Sequence, residues 1–354
     1  MPFSSAADGI EAVARSLCAQ RVEAITELRH GNNSRVFRVD TAAGPFALKR
    51  YPATDNRPRL EAEVAALRFC ERRGIGRTPR VVGVAPERRF ALFTWIDGSP
   101  VGAVTDADVA EFAAFQVSLD QAADWRARDD IGEAAEACLS PARILAQIER
   151  RLARLDAVKR DVPEFAALLD DILVPTLRGA EAAVGDAYRR HALDLKRDVP
   201  PEARTLIPSD LGAHNALRAP DGRLCFLDFE YFGWDDPVTS IANFILHPGM
   251  TLTPSQRTLF RDRLLAHFCR HGEAERLAIL LPLYALRWSA IILGELLPER
   301  WRHRLESRAE LGTWDDARRA QIAKARALLA FFPGFAATEW PQLMFLSPDR
   351  GRGA

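Results

Sequence analysis

The chain has 354 residues, too many for one compact core at about 100 to 200 residues per domain, so two lobes are expected. Hydrophobic residues make up 48% and charged residues 27%, a balance that excludes a disordered or fibrous chain. Lysine plus arginine and aspartate plus glutamate each total 48, so the net charge of zero gives no electrostatic reason to expect nucleic acid or an anionic membrane as partner.

After an opening helical segment, the hydrophobic period changes near Ile25. Three strand-like runs follow, Ile25 to Arg29, Val36 to Asp40 and Phe46 to Tyr51. Turn-forming clusters separate them, Gly31-Asn32-Asn33-Ser34 and Ala42-Ala43-Gly44-Pro45, which predicts an antiparallel meander. Leu60, Val64, Leu67 and Cys70 then repeat as one buried helical face, and Gly74 and Gly76 end the helix. Arg80 to Val84 and Phe90 to Thr94 complete a small sheet, and Asp97-Gly98-Ser99-Pro100 marks the expected hinge between lobes.

Beyond the hinge the pattern is mostly helical. Ser140-Pro141 and Thr253-Pro254 each offer an N-cap hydroxyl followed by proline at the first helical position. Gln256, three residues after Thr253, predicts a capping box. The exception is Asn215 to Leu227, where Pro220-Asp221-Gly222 sits between two short apolar runs and predicts a hairpin. Leu277 to Leu297 is apolar and long, but Pro282, Arg287 and Glu295 interrupt it, so a buried helix is expected in place of a membrane span. The five cysteines are scattered without a C-x-x-C pair, and no basic patch followed by an apolar run opens the sequence. Both features fit free thiols in a reducing, cytoplasmic setting.

The richest chemistry lies in Pro208-Ser209-Asp210-Leu211-Gly212-Ala213-His214-Asn215 and, past the hairpin, Leu227-Asp228-Phe229-Glu230-Tyr231. Phosphoryl transfer needs an acceptor hydroxyl held in line with the γ-phosphate, and Mg²⁺ to neutralise the charge that develops on the phosphate oxygens. Asp210 suits orienting the hydroxyl and accepting its proton, while Asn215 and Asp228 offer hard oxygen ligands for the metal.

This D-x-x-x-x-N, hairpin, apolar strand and aspartate resembles the catalytic and metal-binding loops of the protein-kinase-like superfamily. Asp228-Phe229-Glu230-Tyr231 followed by Asp236-Pro237 resembles the aminoglycoside phosphotransferase and choline kinase branch. The resemblance implies an α+β, two-lobed protein-kinase-like fold, with a small antiparallel-sheet lobe over residues 1–96 and a larger, mostly helical lobe over residues 97–354. It implies a kinase that uses ATP and Mg²⁺ to phosphorylate a hydroxyl of a small molecule, in the cleft between the lobes. It departs from the family at Pro208-Ser209, where a histidine and a glycine often precede the aspartate, and at Ser240, where a further aspartate often stands. The missing histidine keeps a catalytically silent nucleotide-binding protein as the alternative. A protein kinase is disfavoured by the absence of an A-P-E stretch.

Lys49, in the third strand, stands where kinase-like proteins place the lysine that contacts the α- and β-phosphates. Two glutamates of the next helix could partner it. Counting about 100° per residue from Leu60, the apolar stripe runs from about 280° to about 40°, so Glu63 at about 300° faces inward and Glu61 at about 100° faces away. An inward carboxylate needs a cation, which selects Glu63. Ser34 and its turn could offer hydrogen bonds to phosphate. The resemblance implies that backbone around Thr94, Trp95 and Ile96 meets adenine.

On the acceptor side, Glu230 would share a face with Asp228 if the segment were extended, and could take a metal, a cationic group or a sugar hydroxyl. Tyr231 and Trp288 are candidate acceptor-lining rings through cation–π contact, or else core aromatics. Trp288 lies in a stretch, Leu283 to Ser289, that resembles a choline kinase helix.

Overall fold

Alternation of buried and exposed side chains along residues 35–50 decides how the first sheet is used. Phe37, Val39 and Leu48 are buried and, with Phe90 and Leu92, pack against Val13 and Ala14 of the first helix and Cys18 just past its end. Their neighbours in sequence, Lys49 among them, point to the opposite face because strand side chains alternate.

The computed structural model describes residues 4–28, 34–52, 57–127, 131–159, 163–301 and 313–330. The chain divides into two compact units. The first comprises Met1–Gly102, Ser118–Ala135 and Leu206–Trp234, and the second Ala103–Val117, Glu136–Thr205 and Asp235–Ala354.

In the first unit, helix α1 (Ser4–Leu17) precedes strands β1 (Val22–Leu28), β2 (Arg35–Thr41) and β3 (Gly44–Arg50), helix α2 (Arg59–Arg72) and strands β4 (Val81–Ala85) and β5 (Phe90–Thr94). The sheet is antiparallel with order β1-β2-β3-β5-β4, so β3 is central and Lys49 pairs with Val36 on one side and Ala91 on the other. The meander is present, and the expected α+β class with it. Its second turn is tighter than the sequence suggests: Gly44 and Pro45 already pair with Thr41 and Asp40 inside the ladder. The expected turn at Gly31 to Asn33, and Arg29 before it, lie outside the described residues. The predicted face of α2 is buried at Leu60, Val64, Leu67 and Cys70, and Gly74 takes the left-handed conformation that stops it.

The expected hinge at Ser99-Pro100 is a short strand, β6, paired antiparallel with β8 (Ala216–Arg218), which pairs with β9 (Leu224–Phe226). The predicted hairpin is therefore one part of a three-stranded sheet. Gly222, at φ +83, turns it, and the Asp221 carboxylate accepts from the Arg223 N–H at 3.1 Å. Strands β7 (Thr205–Ile207) and β10 (Gly233–Asp235) form a two-stranded ladder.

The second unit is helical: α3 (Asp106–Ala122) begins in it, followed by α4 (Pro141–Asp156), α5 (Pro163–Ala167), α6 (Val174–Arg190), α7 (Pro237–Leu246), α8 (Pro254–His267), α9 (Glu273–Gly294) and α10 (Trp314–Ala330). Helix α9 is packed by α4, α6, α7 and α10. It is long and apolar enough to cross a membrane by length and composition, yet 78% of its most apolar window is buried in the protein, as a core helix requires. The Thr253–Gln256 capping box forms in full. Ser140 is the N-cap residue of α4, but its side chain makes no capping bond; there the proline at N1 alone marks the start.

The segment that carries Asp228 is locked to residues 132–135 by backbone hydrogen bonds, Trp234 N to Gly132 O at 3.0 Å, Ala134 N to Trp234 O at 3.0 Å and Ala135 N to Tyr231 O at 3.2 Å. This approach works because residue 233 lacks a side chain: a Cβ there would lie 2.4 Å from the Ala134 nitrogen. Gly233→Ala is expected to lower stability by about 2 kcal/mol through overpacking, read as a fall in Tm. Gly76→Ala, where a Cβ meets nothing within 4 Å, should leave Tm nearly unchanged.

Candidate active site

Lys49 is only 7% exposed, and a buried ammonium must find negative charge. Three carboxylates meet it: Glu63 at 2.7 Å, Asp228 at 2.9 Å and Glu230 at 2.9 Å. Glu63, 4% exposed, comes from the inward face of α2, whereas Glu61 is exposed, as the helical geometry predicts. Glu63 also accepts from the Tyr51 hydroxyl at 2.7 Å and, with its other oxygen, from the Phe229 N–H at 3.4 Å. Tyr51 was not singled out from the sequence, although it stands two residues past Lys49, the spacing that brings strand side chains to one face.

Asp228 is not extended. Its backbone is left-handed, φ +62, which aspartate tolerates better than most residues and which costs roughly 1 kcal/mol or more. The turn that follows over Glu230 and Tyr231 brings Asp228 and Glu230 onto the same ammonium, so the two carboxylates converge by a bent path and not by strand alternation. Glu230 is 2% exposed. One of its oxygens accepts from Lys49 and from the Ser34 hydroxyl, and the other from Arg59 at 2.5 Å.

Burial alone would push the Lys49 ammonium down, but Asp228, Glu63 and Glu230 reverse this and hold it well above its ordinary value. Burial dominates at Asp228, and with Glu230 and Glu63 nearby it outweighs Lys49 and pushes the carboxyl up. At Glu230 burial is overcome by Lys49, Ser34 and Arg59, which hold the carboxyl below the usual range. Burial and Glu63 raise the Tyr51 phenol well above its usual value.

Asp210 lies in the loop between β7 and β8. Asn215, its partner in the motif, donates its amide N–H to the Asp210 carboxylate at 3.2 Å and to the Asp210 carbonyl at 3.0 Å. The Asn215 carbonyl accepts from the Leu227 N–H at 2.8 Å, so the hairpin ladder sets Asn215 beside the residue that precedes Asp228. Asn215 Oδ1 and Asp228 Oδ2 make no hydrogen bond among the described residues. Both are hard oxygen donors of the kind Mg²⁺ takes, and the pair fits such an ion.

Where a histidine and a glycine often precede the aspartate in the family, Ser209 has a left-handed φ of +65 and its hydroxyl donates to the Tyr231 carbonyl at 3.0 Å, tying the Asp210 loop to the Asp228 segment. His214 also approaches the Asp210 carboxylate, Nε2 to Oδ1 3.3 Å. Burial would lower the imidazole, but the bond to Asp210 leaves it raised. The sequence reading missed His214 as a neighbour of Asp210, although its i+4 spacing from Asp210 was the available signal.

Of the remaining candidates, Trp95 follows β5, lies under Arg38 (4.8 Å to the ring centroid) and donates its indole N–H to Asp97 at 3.0 Å; Ile96 is half-buried beside it. Tyr231 stacks with two guanidinium groups, Arg57 at 5.2 Å and Arg59 at 4.8 Å. Trp288 belongs to the second unit, on α9. It is 7% exposed, meets His247 edge-on at 4.8 Å, and its indole N–H has no hydrogen-bond partner among the described residues.

A family model described as the phosphotransferase enzyme family matches residues 24–280. No protein of curated function matches the sequence at a significant level. Among solved structures, a choline kinase from Streptococcus pneumoniae is 17% identical, with TM-score 0.59 over 92% of this chain and 99% of that one. A choline kinase from Cryptosporidium parvum Iowa II is 12% identical, with TM-score 0.58 over 92% and 96%. An aminoglycoside phosphotransferase in complex with gentamicin is 14% identical, with TM-score 0.58 over 90% and 95%. At these identities the likeness establishes the protein-kinase-like fold.

Lys49→Met removes the cation that Glu63, Asp228 and Glu230 share among the described residues. At about pH 8 the variant should lose about 3 kcal/mol of stability, the usual cost of breaking a buried ion pair. Without Lys49 opposing it, the rise already imposed on Asp228 by burial and its neighbouring carboxylates grows in the folded variant, so the folded state binds protons that the unfolded chain releases, and the deficit should shrink as pH falls toward about 5. Thermal melts of both proteins across this range would test it; a deficit independent of pH would refute the shared-cation account.

Proposed function

Because the chain belongs to the phosphotransferase enzyme family, we propose that it is a small-molecule kinase that moves the γ-phosphoryl group of ATP to a hydroxyl of a sugar, an amino sugar or an amino alcohol. The observation that carries this reading is the buried Lys49 ammonium held at 2.7 Å by Glu63 and at 2.9 Å by Asp228, within the unit that also contains Asp210 and Asn215. Two fold relatives solved with adenine nucleotides, an aminoglycoside phosphotransferase with ADP and the choline kinase LicA with AMP, support ATP as the donor.

In this reading Lys49 neutralises the α- and β-phosphates, Glu63 and Tyr51 keep it aimed, and Asp228 would be available to the metal. A bound Mg²⁺ would supply positive charge to offset the negative charge that develops on the phosphate oxygens. Asn215 and Asp228 would hold it through Oδ1 and Oδ2. Asp210 orients the acceptor hydroxyl and takes its proton, with Asn215 and His214 keeping its carboxylate in place. Backbone of Thr94, Trp95 and Ile96 is assigned to adenine. The Ser209 hydroxyl bond to the Tyr231 carbonyl at 3.0 Å links the two motif loops where the family's histidine is missing, which supports an active enzyme over a catalytically silent one. We place the protein in the cytoplasm, supported by five free cysteines, four of them buried.

A screen of hydroxylated metabolites for ADP release would identify the acceptor. With that acceptor, Asp210→Asn should lower kcat by a factor of about 10² to 10⁴ while the Kd for Mg·ATP, measured by calorimetry, changes little. Turnover equal to wild type would remove Asp210 from the mechanism. Chelating the divalent ion with EDTA should stop turnover in the wild type, and restored Mg²⁺ should recover it.

A further inference from the structure

Arg59 opens helix α2, where a cation has the wrong sign for the helix dipole. It is also 4% exposed, so both local structure and solvation argue against arginine here. Among the described residues it meets a carboxylate 171 residues away in sequence, Glu230, at 2.5 Å, with the Tyr231 ring 4.8 Å beneath the guanidinium. Both Glu230 oxygens are engaged, one by Arg59 and the other by Lys49 and the Ser34 hydroxyl. Glu230 therefore has no oxygen ready for a metal or for an acceptor without giving up a partner.

We propose that Glu230 and Arg59 are positioning residues, and that Arg59 acts as the fixed counter-ion that frees Lys49 for the nucleotide. This rests on the reading of Lys49 as the phosphate-binding lysine. With Glu63, Asp228 and Glu230 around one ammonium, the cluster carries more negative than positive charge. A phosphate arriving at Lys49 must compete with all three. Arg59 satisfies Glu230 independently of Lys49, so the ammonium can turn to phosphate without leaving Glu230 buried and uncompensated. Arg59 leaves Glu230 charged, and the charged carboxylate keeps Ser34 and Lys49 in register with each other.

The test is a double-mutant cycle read by calorimetric titration with Mg·ATP, without acceptor. Arg59→Met should weaken binding about tenfold, because Glu230 then competes for Lys49. Adding Glu230→Gln to that variant should bring the Kd back to within about threefold of wild type, since the competing charge is gone. Arg59→Lys, which keeps the charge, should stay close to wild type. If Arg59→Met does not fold, the neutral pair Arg59→Met/Glu230→Gln carries the same comparison, with near-wild-type affinity expected. Losses that simply add, or a double variant weaker than either single one, would overturn the proposal. So would a raised Mg²⁺ requirement in Glu230→Gln, which would make Glu230 a metal ligand. Failure of the wild type to bind Mg·ATP would instead sink the nucleotide reading itself, and this proposal with it.

Discussion

Lys49 brings one positive charge to a place where three carboxylates meet, and neither side of that arrangement is tolerable alone. A lone buried ammonium would shed its proton, and three clustered carboxylates would take protons up or drive the segments apart. Together they tie the central strand of the sheet, the helix after it and the segment beyond the hairpin into one electrostatic unit. The hydrophobic core on the other face, where Leu48 packs against α1, fixes which way Lys49 points. Burial of Leu48 and charge pairing of Lys49 are thus two readings of one strand's alternation.

Much of this was legible in the chain. The pairing of Lys49 with Glu63 in place of Glu61 followed from a helical period and the cost of an unpaired carboxylate, both local properties. The hairpin announced itself by Pro220-Asp221-Gly222, and the α8 cap by Thr253 and Gln256. What was not legible depends on distant segments. Arg59 reads as one more surface arginine until its partner 171 residues on is known. Ser99-Pro100 reads as a loop because a two-residue strand has no period to detect, and only its pairing with Arg218 and Leu217 reveals it. Glu230 was placed beside Asp228 by assuming an extended segment. The two do converge, but through a bend that no hydrophobic pattern encodes.

The division into units bears on how the chemistry is built. Lys49, Glu63, Asp210, Asn215 and Asp228 all belong to the first unit, which gathers three separate stretches of the chain. The motif residues beyond position 200 are therefore held by the same folded body as the sheet. Ser209, by bonding to the Tyr231 carbonyl at 3.0 Å, joins the two motif loops directly.

Left-handed backbone at Asp228 narrows what evolution or an engineer can place there. Asparagine and glycine share much of aspartate's tolerance for that geometry, whereas alanine, serine or glutamate would add conformational strain to the loss or displacement of the carboxylate. An alanine scan would therefore confound two effects at this position. Asparagine, which keeps shape and backbone preference while discarding the charge, isolates the electrostatic one, and residue 228 is constrained once by its chemistry and a second time by its torsion angles.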